Sequence, residues 1–112
     1  MENEVLKFSY NWNNKLNCLC FSTIRIRNDR KYYVGAKKII QLKGEQKGVV
    51  TIVSVSYFTI DKLTEAVSRL DTGYSIDKCR DIIKTMYKNS NLNWDKQQFV
   101  FCVLAYDEKN KI

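Results

Sequence analysis

The sequence predicts an α+β fold: a small, partly open, mixed β-barrel of about five to six strands, with two helices inserted before the last strand. Strand-like alternation dominates the first half of the chain, two helical stripes follow it, and a closing run, Phe99 to Tyr106, is apolar on both faces. A strand of that last kind belongs in the middle of a sheet. Short-range pairing among the earlier strands would curl the sheet on itself, with the helices covering one end. At 112 residues the chain is read as one domain, 1–112, long enough for a real core and too short for two.

Each element has its own signal. Leu6, Phe8 and Tyr10 alternate, which places a first strand at about Val5 to Tyr10. Asn11 to Asn17 reads as a loop, because asparagine hydrogen-bonds its own backbone in turns. A second strand follows from about Phe21 to Arg27, with Ile24 and Ile26 on one face and Thr23, Arg25 and Arg27 on the other. Asn28-Asp29 is a turn, and Tyr33-Val34-Gly35 introduces a third strand, Lys38 to Lys43.

The polar stretch Gly44-Glu-Gln-Lys-Gly48 reads as the loop of an antiparallel hairpin leading into the longest strand, Val49 to Phe58. Strict alternation there puts Val49, Thr51, Val53, Val55 and Tyr57 on one face. Ile60, Leu63, Ala66, Val67 and Leu70 recur at helical spacing behind Thr59 or Asp61 as N-cap, and Gly73 ends that helix. Ser75 caps a second helix whose stripe Ile76, Cys79, Ile82, Ile83, Met86 and Tyr87 is core. Asn89 to Gln97 is a polar loop, and the tail Asp107 to Ile112 is expected to fray.

Composition narrows the function classes. Lys plus Arg number 19 against 12 Asp plus Glu, a formal +7 with a pI near 9.3, which favours anionic partners such as nucleic acid and equally keeps a small protein soluble. Lys31, Lys37 and Lys38 read as a solvated basic face able to steer RNA. The acidic start Met1-Glu-Asn-Glu4 and the absence of a long apolar run predict no membrane segment and a cytoplasmic protein. Cysteines 18, 20, 79 and 102 are therefore read as reduced. With no histidine, Ser-His and Cys-His nucleophilic pairs and histidine zinc sites are excluded. Cys18-x-Cys20 lacks structural-zinc spacing and no glycine-rich phosphate loop is present, so no metal and no cofactor is expected.

The candidate site lies around the second strand. A hydroxyl beside guanidinium forks suits an anion or nucleotide, since arginine offers phosphate two parallel donors. Plain alternation of Ile and Arg is also what any half-buried strand shows. Arg25, Arg27 and Lys15 are candidates for phosphate or a base edge, Thr23 and Asp71 for further hydrogen bonds, and Trp12 or Tyr74 for stacking a base. The bland alternatives are a loop plug for Trp12, packing against the second helix for Tyr74 and a turn role for Asp71.

Thr23-Ile24-Arg25 on an early strand, Tyr33-x-Gly35, a long Val/Ile strand followed by Leu63-Thr-Glu65, and Ser75-Ile-Asp-Lys-Cys-Arg-Asp-Ile-Ile-Lys-Thr-Met-Tyr87 resemble the ASCH domains, a branch of the PUA-like barrels. The resemblance implies a pseudobarrel with a cleft between sheet and helices that binds RNA or modified nucleosides. A bacterial branch of the family hydrolyses acetylcytidine, using a lysine three residues before the threonine and a glutamate ahead of the second helix. By position the threonine is Thr23, the arginine Arg25, and the glutamate most nearly Asp71. Cys20 stands where that branch has lysine; a thiol without a neighbouring imidazole offers different chemistry, and Lys15 is the candidate to supply the amine from the preceding loop. The leading expectation is an RNA- or nucleotide-binding module. The alternative is an amidohydrolase acting on acylated cytidine through Thr23, Asp71 and either Lys15 or Cys20. A protein-interaction domain with a degenerate pocket is the third reading, and it predicts no continuous cleft beside Arg25.

Overall fold

The computed structural model describes residues 4–107 and contains five strands: β1 Glu4–Phe8, β2 Cys20–Ile26, β3 Lys37–Leu42, β4 Glu45–Thr59 and β5 Gln98–Tyr106. Helices α1, Glu65–Thr72, and α2, Ile76–Met86, fall between β4 and β5, and 3-10 turns occupy Trp12–Asn17 and Ile60–Lys62. The sheet order is β1-β3-β4-β5-β2. β1 runs parallel to β3 and every other neighbouring pair is antiparallel. Among the described residues no helix is long and apolar enough to cross a membrane.

β5 is apolar on both faces because both are covered. Val100, Cys102 and Leu104 join Leu6, Ile40, Val50 and Ile52 in one core, while Phe99 meets Ile24, Leu63, Cys79 and Ile83 in a second core under the helices. The edge strands β1 and β2 share no hydrogen-bond ladder. Side chains bridge them instead: Phe8 and Phe21 meet edge-on at 6.2 Å, and Arg25 Nη2 of β2 donates to the Lys7 carbonyl of β1 at 3.0 Å. The result is a curled, partly open barrel whose seam is spanned by an arginine.

Four expectations are corrected. Gly44 to Gly48 is not a loop: Lys43 and Gly44, at φ 51° and 86°, make a two-residue turn, and β4 begins at Glu45 opposite Leu42. Positive φ at both turn residues matches the strand twist, so the tighter connection wins. Alternation along β4 breaks between Ile52 and Ser54, where the register slips; Val53 is left 48% exposed and Val55 packs on the first core. Ile60 and Leu63 precede α1 and do not lie on it, because Thr64 caps that helix by accepting from Val67 N. Lys31, Lys37 and Lys38 do not make one solvated basic face: Lys31 and Lys37 are exposed, beside Glu4 and Asp107, but Lys38 is buried and pairs with Glu4. Asp107, just past the end of β5, is thereby held, its carboxylate also accepting from Thr51; the rest of the expected frayed tail lies outside the described residues.

Candidate active-site cleft

The cleft begins with a local backbone peculiarity. Asn13 and Asn14 adopt left-handed φ of 57° and 52°, which asparagine tolerates better than most residues. Asn11 Oδ1 accepts from Leu16 N at 2.9 Å and fastens the turn. That reversal drives Lys15 and Leu16 inward, and both are buried. Gly73, the left-handed C-cap of α1, lies so close that a Cβ there would sit 3.1 Å from the Asn13 side chain. The turn and the end of α1 are therefore pressed together.

This contact brings together residues 56 positions apart. Lys15 Nζ donates to Asp71 Oδ1 at 2.9 Å, and both side chains are less than a tenth exposed. Ser22 Oγ donates to the same Asp71 oxygen at 2.9 Å. Burial lowers the Lys15 pKa from its ordinary 10.5, and the attraction of Asp71 opposes that shift only in part. Thr23, buried on β2, accepts from Arg25 Nε at 3.0 Å. The Arg25 guanidinium also lies over the Phe8 ring at 4.7 Å.

Lys15, Thr23, Arg25 and Asp71 line a cleft of about 70 Å3 whose apolar wall includes Ile82, Ile83 and Met86. Tyr10 and Trp12 also line it, their rings 4.6 Å apart. By the measure that one water needs about 10–15 Å3, the cleft holds a few waters or one small planar group.

Among the sequence candidates, Trp12, Lys15, Thr23, Arg25 and Asp71 converge here. Three others do not line the cleft. Cys20 opens β2 on an exposed position beside a neighbouring groove. Arg27 lies past the end of β2 and is occupied by Asp29, by Gln98 and by the Tyr57 ring at 3.7 Å. Tyr74 meets the edge of Trp12 at 6.2 Å and supports it from outside. Sequence reasoning missed Ser22, Tyr10, Phe8 and the rim residue Met86, which is 53% exposed although its stripe reads as core. The polar stripe Ser68, Asp71 and Thr72, at i, i+3 and i+4 on one helix face, signals a buried polar partner for α1 but not which residue it is.

No family model matches the sequence, and no curated protein matches it. Solved structures do. Protein EF3133 of Enterococcus faecalis V583, of family DUF984, superposes with a TM-score of 0.72 at 11% identity, over 99% of this chain and 78% of that one. The ASCH domain from Lactobacillus crispatus JV V101 superposes with a TM-score of 0.68 at 10% identity, over 92% and 79%. The molecule is thus a small α+β pseudobarrel. Its fold is ASCH-like.

Proposed function

We propose that the cleft admits the acylated edge of one nucleoside-sized ligand and that Lys15, Thr23 and Asp71 hydrolyse its amide. The observation that carries this reading is the buried Lys15–Asp71 pair in a cleft that Thr23 also lines. An ASCH-like fold adds plausibility to a nucleoside substrate, while fold alone assigns no chemistry. The cleft beside Arg25 favours this reading over a protein-interaction domain with a degenerate pocket.

The chemistry follows from the hydrogen bonds. Because Thr23 Oγ1 accepts from Arg25 Nε, its own proton is left to donate, and the guanidinium favours the developing alkoxide. The neutral form of Lys15, favoured by burial, takes that proton as Thr23 Oγ1 bonds to the acyl carbon. The C–N bond then breaks and the amine leaves with the proton from Lys15. Water, deprotonated by neutral Lys15, attacks the Thr23 ester; the acyl C–O bond breaks, Lys15 returns the proton to Thr23 Oγ1, and the free carboxylic acid leaves. Asp71 aims the amine, and Ser22 holds Asp71.

One observation favours the simpler binding module: Lys15 already donates to Asp71, so it also serves as a fixed cation that reads a ligand without turnover. Acetylcytidine assayed by chromatography separates the readings. Hydrolysis is expected, with at least a hundredfold loss in Thr23→Ala and in Lys15→Met of native circular dichroism. Saturable binding without product would leave the module. Neither binding nor product for a panel of acylated and plain nucleosides would sink both.

A further inference from the structure

Beside the cleft, on the other side of Lys15, lies a second and larger groove of about 330 Å3, lined by Lys15, Ser22, Leu70, Phe101 and Val103. Cys18 and Cys20 line it too, and both thiols are free and exposed. What brings them together is the bend at Cys18 and Leu19 that leads from the 3-10 turn into β2, whose first residue is Cys20, opposite Ala105. Both cysteines line the one groove across that bend. Leu19 between them is 65% exposed, its carbonyl accepting from Tyr106 N.

The geometry points to a two-thiolate site for one thiophilic, two-coordinate cation of the monovalent copper class. Cα atoms two residues apart lie at most about 7 Å from each other whatever the bend between them, close to the upper limit for an unstrained disulfide. Two metal–sulfur bonds of about 2.3 Å span some 4.6 Å, which relaxes that demand. Soft thiolates select soft ions. Among the described residues no group of three or more His, Cys, Asp or Glu side chains could hold a metal ion, so a tetrahedral zinc centre is not available. Binding releases one proton from each thiol to solvent and changes no oxidation state. Cys79 and Cys102 are buried, and burial raises both their pKa values, Cys102 to about 11, so they do not compete.

The probe is Cu(I) supplied from a colorimetric chelator, with stoichiometry read by native mass spectrometry and affinity by competition. One ion per monomeric chain is expected, with affinity lowered at least a hundredfold in Cys18→Ser, in Cys20→Ser and in the double variant, and unchanged in Cys102→Ala. Undiminished affinity in the double serine variant overturns the assignment. So does an ion found only between two chains.

Discussion

The two helices are adjacent in sequence and obey opposite rules. α2 buries Cys79 and Ile83 and turns charge outward, as an amphipathic helix does. α1 buries Ser68, Asp71 and Thr72 and leaves Leu70 65% exposed. Its inner face is polar but nothing on it is orphaned. Ser68 and Thr72 hydroxyls donate to carbonyls one turn back, and Asp71 takes Lys15 and Ser22. Among the described residues no buried side-chain nitrogen or oxygen lacks a partner. One helix therefore turns an apolar face to the core, and its neighbour turns a polar one.

The largest expected effect follows from breaking the polar side of this comparison. Lys15→Met leaves Asp71 buried without its cation and should cost about 3–5 kcal/mol in urea unfolding. Lys15→Met with Asp71→Leu should recover most of that, falling short by the about 1–3 kcal/mol of the stranded Ser22 hydroxyl. If the single variant were neutral, the pair would have no structural weight.

pH sharpens the same point. Lys15 loses its proton at lower pH folded than unfolded, so between its lowered native value and 10.5 the unfolded chain binds more protons. Wild-type stability relative to Lys15→Met should therefore rise with pH through that window. Cys102, Tyr87 and Tyr106, which burial pushes up, act with the opposite sign but in both proteins, and cancel in the difference. Cys79, which burial raises and the Lys15 charge partly holds down, is pushed further up in the variant and adds to the difference with the same sign. A flat difference would mean that the amine is not buried in solution.

How far the sequence could be read follows the same division. α2, β1, β2 and β5 were legible because apolar periodicity is a direct image of burial. Asp71 and Thr23 were reachable through the Thr-Ile-Arg resemblance. Lys15 was not locatable, because two left-handed asparagines decide where it points and single-residue φ leaves no periodic trace. Ser22 was invisible: hydroxyls are neutral in any hydrophobic pattern, and its partner lies 49 residues away. The β4 bulge escaped for a related reason, since one extra residue inverts the faces without changing composition.

On the apolar side, Ile83→Ala should cost about 3 kcal/mol through lost burial and a residual cavity. Ile83 is also part of the cleft wall, so ligand affinity per folded molecule, measured by calorimetry, should fall, but by no more than a factor of a few. Gly73→Ala comes next, at about 1–2 kcal/mol. The residue sits at φ 83°, and its new methyl would lie 3.1 Å from Asn13. Because Asn13 opens the turn that aims Lys15, this variant should weaken ligand binding more than Ile83→Ala does, despite its smaller stability loss. The reverse ranking would detach the turn from the cleft.

The smallest expected effect is the most discriminating about α1. Leu70→Ser removes the most hydrophobic side chain of that helix, and from the sequence alone it ranks as a core deletion. In the fold Leu70 faces the exposed groove, so its loss should change stability by no more than about 0.5 kcal/mol. Leu70 and Asp71 are consecutive and therefore about 100° apart around the helix axis, so they cannot both be central to the inner face. A loss above about 2 kcal/mol in urea unfolding would rotate α1, carry Asp71 away from Lys15 and Ser22, and remove the buried pair on which the proposed chemistry stands.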